Sequence, residues 1–92
     1  MEVGCMAHLF VRHTVADFDK WHSAFEEDEP NRDSHGLKLL GLHRGLEDSN
    51  DVTAVFNLDS VDRAKEFLGS EDLKKAMMEA GVQGMPDIWF TD

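Results

Sequence analysis

Five histidines along 92 residues invite chemistry, because an imidazole titrates near neutral pH and can move a proton or ligate a metal. Spacing decides between these uses. His8 and His13 are five apart on one apparent strand, an odd separation that sends them to opposite faces, where they cannot hold one ion together. His22 falls in a helical pattern and His35 in a polar loop, neither with a second histidine or cysteine three or four residues away. No His-Glu-x-x-His run and no cysteine-rich zinc pattern occurs, so the sequence predicts no metal site. Cys5 is the single cysteine, which excludes an intramolecular disulfide. Without a Cys-x-x-Cys partner it reads as a small, half-buried residue. Gly81 and Gly84 fit a helix stop and a turn better than a phosphate-binding loop.

A more useful grouping comes from one face of the predicted strands. His8 and Phe10 on the first strand, Asn57 on the third, Trp89 on the fourth and His43 on the second would line it together, with Arg12 at its end. His8 could act as a general base toward a polyphenol or similar acidic carbon acid. The Asn57 amide could hold an oxyanion, and the rings would stack on a planar substrate. Arg12 could attract an anionic group or an acidic neighbour. The same residues also suit a polar-aromatic dimer interface with no chemistry at all.

These side chains need four strands and two helices to position them. Residues 5–13 alternate, with Ala7, Leu9 and Val11 opposite Met6, His8, Phe10 and Arg12. Thr14-Val15-Ala16-Asp17 fits a capping box for a helix over 15–28, where Phe18, Trp21 and Phe25 form an apolar stripe. Its acidic end, Glu26-Glu27-Asp28-Glu29-Pro30, suits a helix C-terminus badly, so fraying and then a polar loop to Gly36 are expected. Residues 37–46 and 51–58 read as a hairpin around Glu47-Asp48-Ser49-Asn50. In the second of these strands Val52, Ala54, Phe56 and Leu58 share a face. In the first, either Leu40 and Leu42 or Leu37 and Leu39 could face the helices, since a one-residue slip exchanges them. Asp59 or Ser60 caps a helix over 61–80 that Gly69-Ser70 interrupts, with Ser70 recapping it and Gly81 as a left-handed stop. Residues 87–91 close the pattern. The predicted core joins Phe18, Trp21 and Phe25 to Leu9, Val11, Phe56, Phe67 and Ile88.

Strand, helix, two strands, helix, strand is the ferredoxin-like α+β plan, β-α-β-β-α-β, in one domain spanning 1–92. It is a four-stranded antiparallel sheet with both helices on one face. The other face carries Met6, Phe10, Val55 and Trp89 with no chain left to cover it, which predicts a homodimer packed sheet to sheet, burying more than about 1,200 Å². A cavity between the two sheets is expected to hold any small molecule, because a domain this size has little room for a private one.

Nine Lys and Arg face nineteen Asp and Glu, a formal charge of −10. That balance argues against nucleic acid, whose phosphates need a basic surface, and against anionic membrane. No basic segment precedes an apolar one at the N-terminus, and no apolar run approaches a membrane span. A reduced, cytoplasmic protein is the expectation.

The chain resembles the dimeric α+β barrel superfamily, near the small antibiotic-biosynthesis-monooxygenase-like domains. The resemblance spans nearly the whole chain. It rests on Phe10-Val11-Arg12-His13-Thr14-Val15-Ala16-Asp17-Phe18-Asp19-Lys20-Trp21, and on Ser70-Glu71-Asp72-Leu73 leading through Met77 to Ala80-Gly81-Val82, Gly84 and Pro86-Asp87-Ile88. It implies the dimeric barrel, and members that include cofactor-independent oxygenases, haem-degrading enzymes and isomerases. These signatures are structural, so the fold cannot choose among activities. The expected role is a dimer binding a small, aromatic molecule between its sheets. The alternative is a cofactor-independent monooxygenase or isomerase that uses His8 as general base and no bound cofactor. Haem degradation is a third reading, which needs an axial histidine beside an apolar slot.

Overall fold

Period-two alternation in the first strand runs on through Val15, and that extension sets the architecture. The computed structural model describes residues 7–92; Cys5 and Met6, expected at the head of this strand, lie outside the described residues. Strand β1 spans His8–Val15, followed by helices α1 (Phe18–Glu27) and α2 (Glu29–Ser34). Strands β2 (Leu37–Arg44) and β3 (Asp51–Leu58) form the hairpin. Helices α3 (Val61–Leu68) and α4 (Glu71–Glu79) lead into β4 (Val82–Thr91). All pairings are antiparallel, in the order β2-β3-β1-β4. This is the ferredoxin-like plan with each helix broken in two.

Because β1 continues to Val15, Thr14 is a strand residue and does not cap the helix. Asp17 does so instead, its carboxylate accepting from the amides of Asp19 at 3.0 Å and Lys20 at 3.3 Å. A carboxylate at this position also meets the positive end of the helix dipole. The acidic stretch that follows α1 is not a plain loop. Pro30 lacks an amide proton and has a fixed φ, so it suits the first turn of a new helix, and α2 forms there. Ser60 and Ser70 cap α3 and α4 through the amides of Arg63 and Leu73, so the break at Gly69-Ser70 is as the sequence predicts. Gly81 takes φ +89° and ends α4. Strand β4 starts earlier than expected, at Val82, because Gly84, at φ +70°, carries it through a bulge opposite β1.

Strand β2 resolves its ambiguity in an unforeseen way. Leu37 pairs with Leu58 and Leu42 with Ala54, both on the helix side, although the two leucines are five apart. An irregularity between Leu39 and Gly41 inserts one residue, Leu40, and reverses the parity. Leu40 is exposed.

The core lies between helices and sheet. Leu9, Val11, Ala54, Phe56 and Leu58 from the sheet meet Ala64, Phe67 and Leu73 from the helices. Val15, Trp21 and Val52 form an adjoining cluster. Trp21 is buried, with Phe18 and Phe25 packed against the same clusters as predicted. Ile88 departs from expectation. It pairs with Val11 and so faces the helices, but β4 is an edge strand and leaves it 39% exposed. Phe90 packs on the core in its place.

Candidate functional site

The alternation that buries Leu9, Val11 and Val15 also buries His13, which is 7% exposed on the helix side of β1. Its neighbour across the layer is Trp21, edge-on at 5.3 Å between ring centroids. Trp21 stacks on Phe25, one helical turn along, at 4.8 Å. The guanidinium of Arg32, from α2, lies 3.7 Å above the Phe25 ring and donates from Nη1 to the Phe25 carbonyl at 2.7 Å. That carbonyl, in the last turn of α1, also accepts from the Asp28 amide at 3.2 Å, and the short helix α2 folds Arg32 back onto it as a second donor. Two polar side chains thus stand at the ends of an aromatic wall.

This wall bounds a cavity of about 390 Å³ between helices and sheet. Leu37, Phe56, Phe67 and Met77 supply apolar surface, and Glu27, Asp28 and Glu79 also line it. The volume falls in the usual range for small-molecule pockets. The Nδ1 of His13 is buried and has no hydrogen-bond partner among the described residues. Burial pushes the imidazole below its ordinary value near 6.5, against the opposing pull of its own backbone and of Asp51. It is therefore neutral at pH 7, with one ring nitrogen free to accept. Burial likewise pulls the Arg32 guanidinium down, opposed by Asp28, Glu29 and Asp33; an arginine stays cationic all the same.

The six residues singled out from the sequence lie elsewhere, on the face that no helix among the described residues covers. They fall in three rows across the sheet. Lys38, Asn57, His8 and Thr91 form one; Gly41, Val55, Phe10 and Trp89 the next; His43, Thr53, Arg12 and Asp87 the third. Phe10 and Trp89 stack at 5.2 Å with planes 5° apart. Arg12 is engaged by Asp51 through two hydrogen bonds of 3.0 and 2.7 Å, which hold the Asp51 carboxyl below its usual range. The imidazole of His43 folds over Gly41, where a Cβ would stand 2.9 Å from its Nε2. Glycine there makes room for the ring. The structure thus brings His8 beside Asn57 and Phe10 beside Trp89, and sets Arg12 and His43 one row away.

His13 and Arg32 were missed by sequence reasoning for different reasons. His13 was legible: it continues the series Leu9, Val11, Val15 once the strand is allowed to reach Val15. Arg32 stood in an acidic, polar stretch with no apolar periodicity, and nothing there announced burial. Among the described residues no group of three His, Cys, Asp or Glu side chains could hold a metal ion. No helix among them is long and apolar enough to cross a membrane.

No family model matches the sequence, and no curated protein matches it. Solved structures do. A candidate antibiotic biosynthesis monooxygenase from Bordetella bronchiseptica superposes with a TM-score of 0.77 at 18% identity, covering 98% of this chain and 97% of the other. A second such candidate, from Caulobacter crescentus, gives 0.69 at 19% identity over 97% and 90%. SnoaB, a cofactor-independent oxygenase from Streptomyces nogalater, gives 0.70 at 14% identity over 94% and 90%. The chain therefore shares the fold of these structures, a ferredoxin-like four-stranded antiparallel sheet with its helices on one face.

Proposed function

We propose that this protein is a homodimer, joined through its uncovered sheet face, that binds a small and largely aromatic molecule. The binding site is the cavity between helices and sheet rather than the space between two sheets. One observation carries this reading: the buried His13 Nδ1, unpartnered, at an aromatic-walled cavity. Leaving a polar atom buried without a partner costs about 1–3 kcal/mol, and a bound ligand with a hydroxyl or amide would offset that cost. The uncovered face supports the dimer, since Phe10, Trp89 and Val55 form an apolar row that no element among the described residues covers. Binding is tested by titrating two-ring aromatic compounds while following the fluorescence of Trp21 in a Trp89→Phe background. A saturable change that His13→Leu weakens is expected; a Trp21 signal indifferent to every compound would refute the cavity.

A catalytic reading rests on a different pair. Asn57 lies directly across from His8, so the amide and imidazole needed for proton abstraction and oxyanion support are neighbours on the sheet face. In this reading the dimer encloses a second space between the sheets, and the protein is a cofactor-independent monooxygenase or isomerase with His8 as base. Phe10, His43 and Trp89 line that space, while Arg12 holds Asp51. Oxygen uptake or isomerisation of a polyphenol, lost in His8→Ala and kept in His13→Leu, would favour it. The reverse pattern would move the chemistry to the helix-side cavity.

A further inference from the structure

Among the described residues Arg32 is the one buried cation of the cavity wall, and Asp28, Glu29 and Asp33 act on it only from beyond ion-pair distance. It is 6% exposed. Among the described residues the ion pairs within 4.0 Å are Arg12 with Asp51 and His22 with Glu26; no carboxylate comes that near to Arg32. Its single hydrogen bond uses Nη1. Nε and Nη2 have no partner among the described residues, yet they are not sealed away, for His13 Nδ1 is the only buried polar side-chain atom left unsatisfied among those residues. A guanidinium carries five N–H donors in a planar fork that matches a carboxylate. Capping the Phe25 carbonyl occupies one of them. A buried charge without a close counterion is costly, and Arg32 lines the cavity.

We propose that the cavity takes an apolar monocarboxylate about two fused rings in size, its carboxylate on the Nε and Nη2 of Arg32 and its ring system along Trp21 and Phe25. This rests on the reading of that cavity as a ligand site. The far edge of the ligand reaches His13, whose Nδ1 accepts a hydrogen bond from a substituent there. Three acidic side chains bear on the charge of the ligand. Glu27, Asp28 and Glu79 line the same cavity, and none is within 4.0 Å of Arg32. They disfavour a second negative charge, so a phosphate dianion or a dicarboxylate is excluded in favour of a monoanion. The excess of acidic residues over the whole chain repels any anion at long range. Salt should therefore speed association, while the buried pair, once formed, is little screened.

The test is calorimetric titration of the full-length protein with 1-naphthoate and with its neutral analogue naphthalene-1-methanol. The carboxylate should bind at least about tenfold more tightly, the advantage of a charge-assisted pair over a neutral one. Arg32→Gln should remove that preference and leave the alcohol's affinity as it was. Because Gln loses the cap on Phe25, Arg32→Lys serves as the second variant: it keeps the charge without the fork, and should retain a reduced preference. Equal binding of the two compounds by the native protein would overturn the carboxylate assignment while leaving the cavity as a ligand site. Binding of neither compound up to millimolar concentration would overturn both.

Discussion

The two faces of the sheet treat polar side chains in opposite ways. On the uncovered face Arg12 and Asp51 make a two-bond pair, and Asn57 lies across from His8 in the register. On the helix face, His13 and Arg32 are buried among aromatic rings, with one atom unpartnered and one cation without a counterion within 4.0 Å among the described residues. Both faces are read from the same strand, one residue apart. Burial is what pushes the His13 imidazole below its ordinary value, because water cannot compensate it there.

The contrast can be broken most forcefully at the tryptophans. Trp21 is 3% exposed and Trp89 42% exposed. Trp21→Ala should cost about 3–5 kcal/mol, a large share of the stability of so small a domain. Urea denaturation would register this as a lower midpoint. Trp89→Ala should leave the stability of the monomer nearly unchanged.

Trp89→Asp acts on assembly instead. A charge placed in the apolar row should convert the proposed dimer to monomer or aggregate, read by light scattering at micromolar concentration. A native protein that scatters as a 10.4 kDa monomer would remove the dimer and the space between the sheets, but not the cavity around His13.

His13 should also make stability depend on pH. Its folded value lies below the ordinary 6.5, so the unfolded chain binds the proton more readily and stability rises with pH across the interval between the two values. The contribution is complete above about 6.5 and is lost as pH falls toward the folded value. Midpoints measured from pH 5 to 8 should show this slope, and His13→Leu should flatten it. A slope that persists would assign it to another group.

The smallest effect belongs to Arg12 and Asp51. Arg12 is 55% exposed at its side chain, and solvent screens such ion pairs so that they contribute little. A double-mutant cycle with Arg12→Ala and Asp51→Ala should find weak coupling, and weaker still at high salt.

Much of this fold is legible because local rules and global packing agree. The series Val52, Ala54, Phe56, Leu58 is buried without exception, and both serine caps form where the serines stand. Legibility fails where one residue changes the count. The cap moved from Thr14 to Asp17 because β1 kept its alternation to Val15, where partners across the sheet were available. Leu40 shifted the parity of β2, which no pattern within that strand could announce.

The six residues chosen from the sequence do share one face, because period two alone requires it once the strands are known. What alternation along a chain determines is therefore which side chains look the same way. It says nothing of what stands opposite them. Only the tertiary structure decided that the helix-side layer keeps an unfilled volume beside Trp21. It alone brought Arg32, from a polar stretch 19 residues beyond His13 in sequence, to the same cavity. The physical reason is that a cavity and a buried charge arise from how separate elements meet, and a strand's periodicity records only its own two sides.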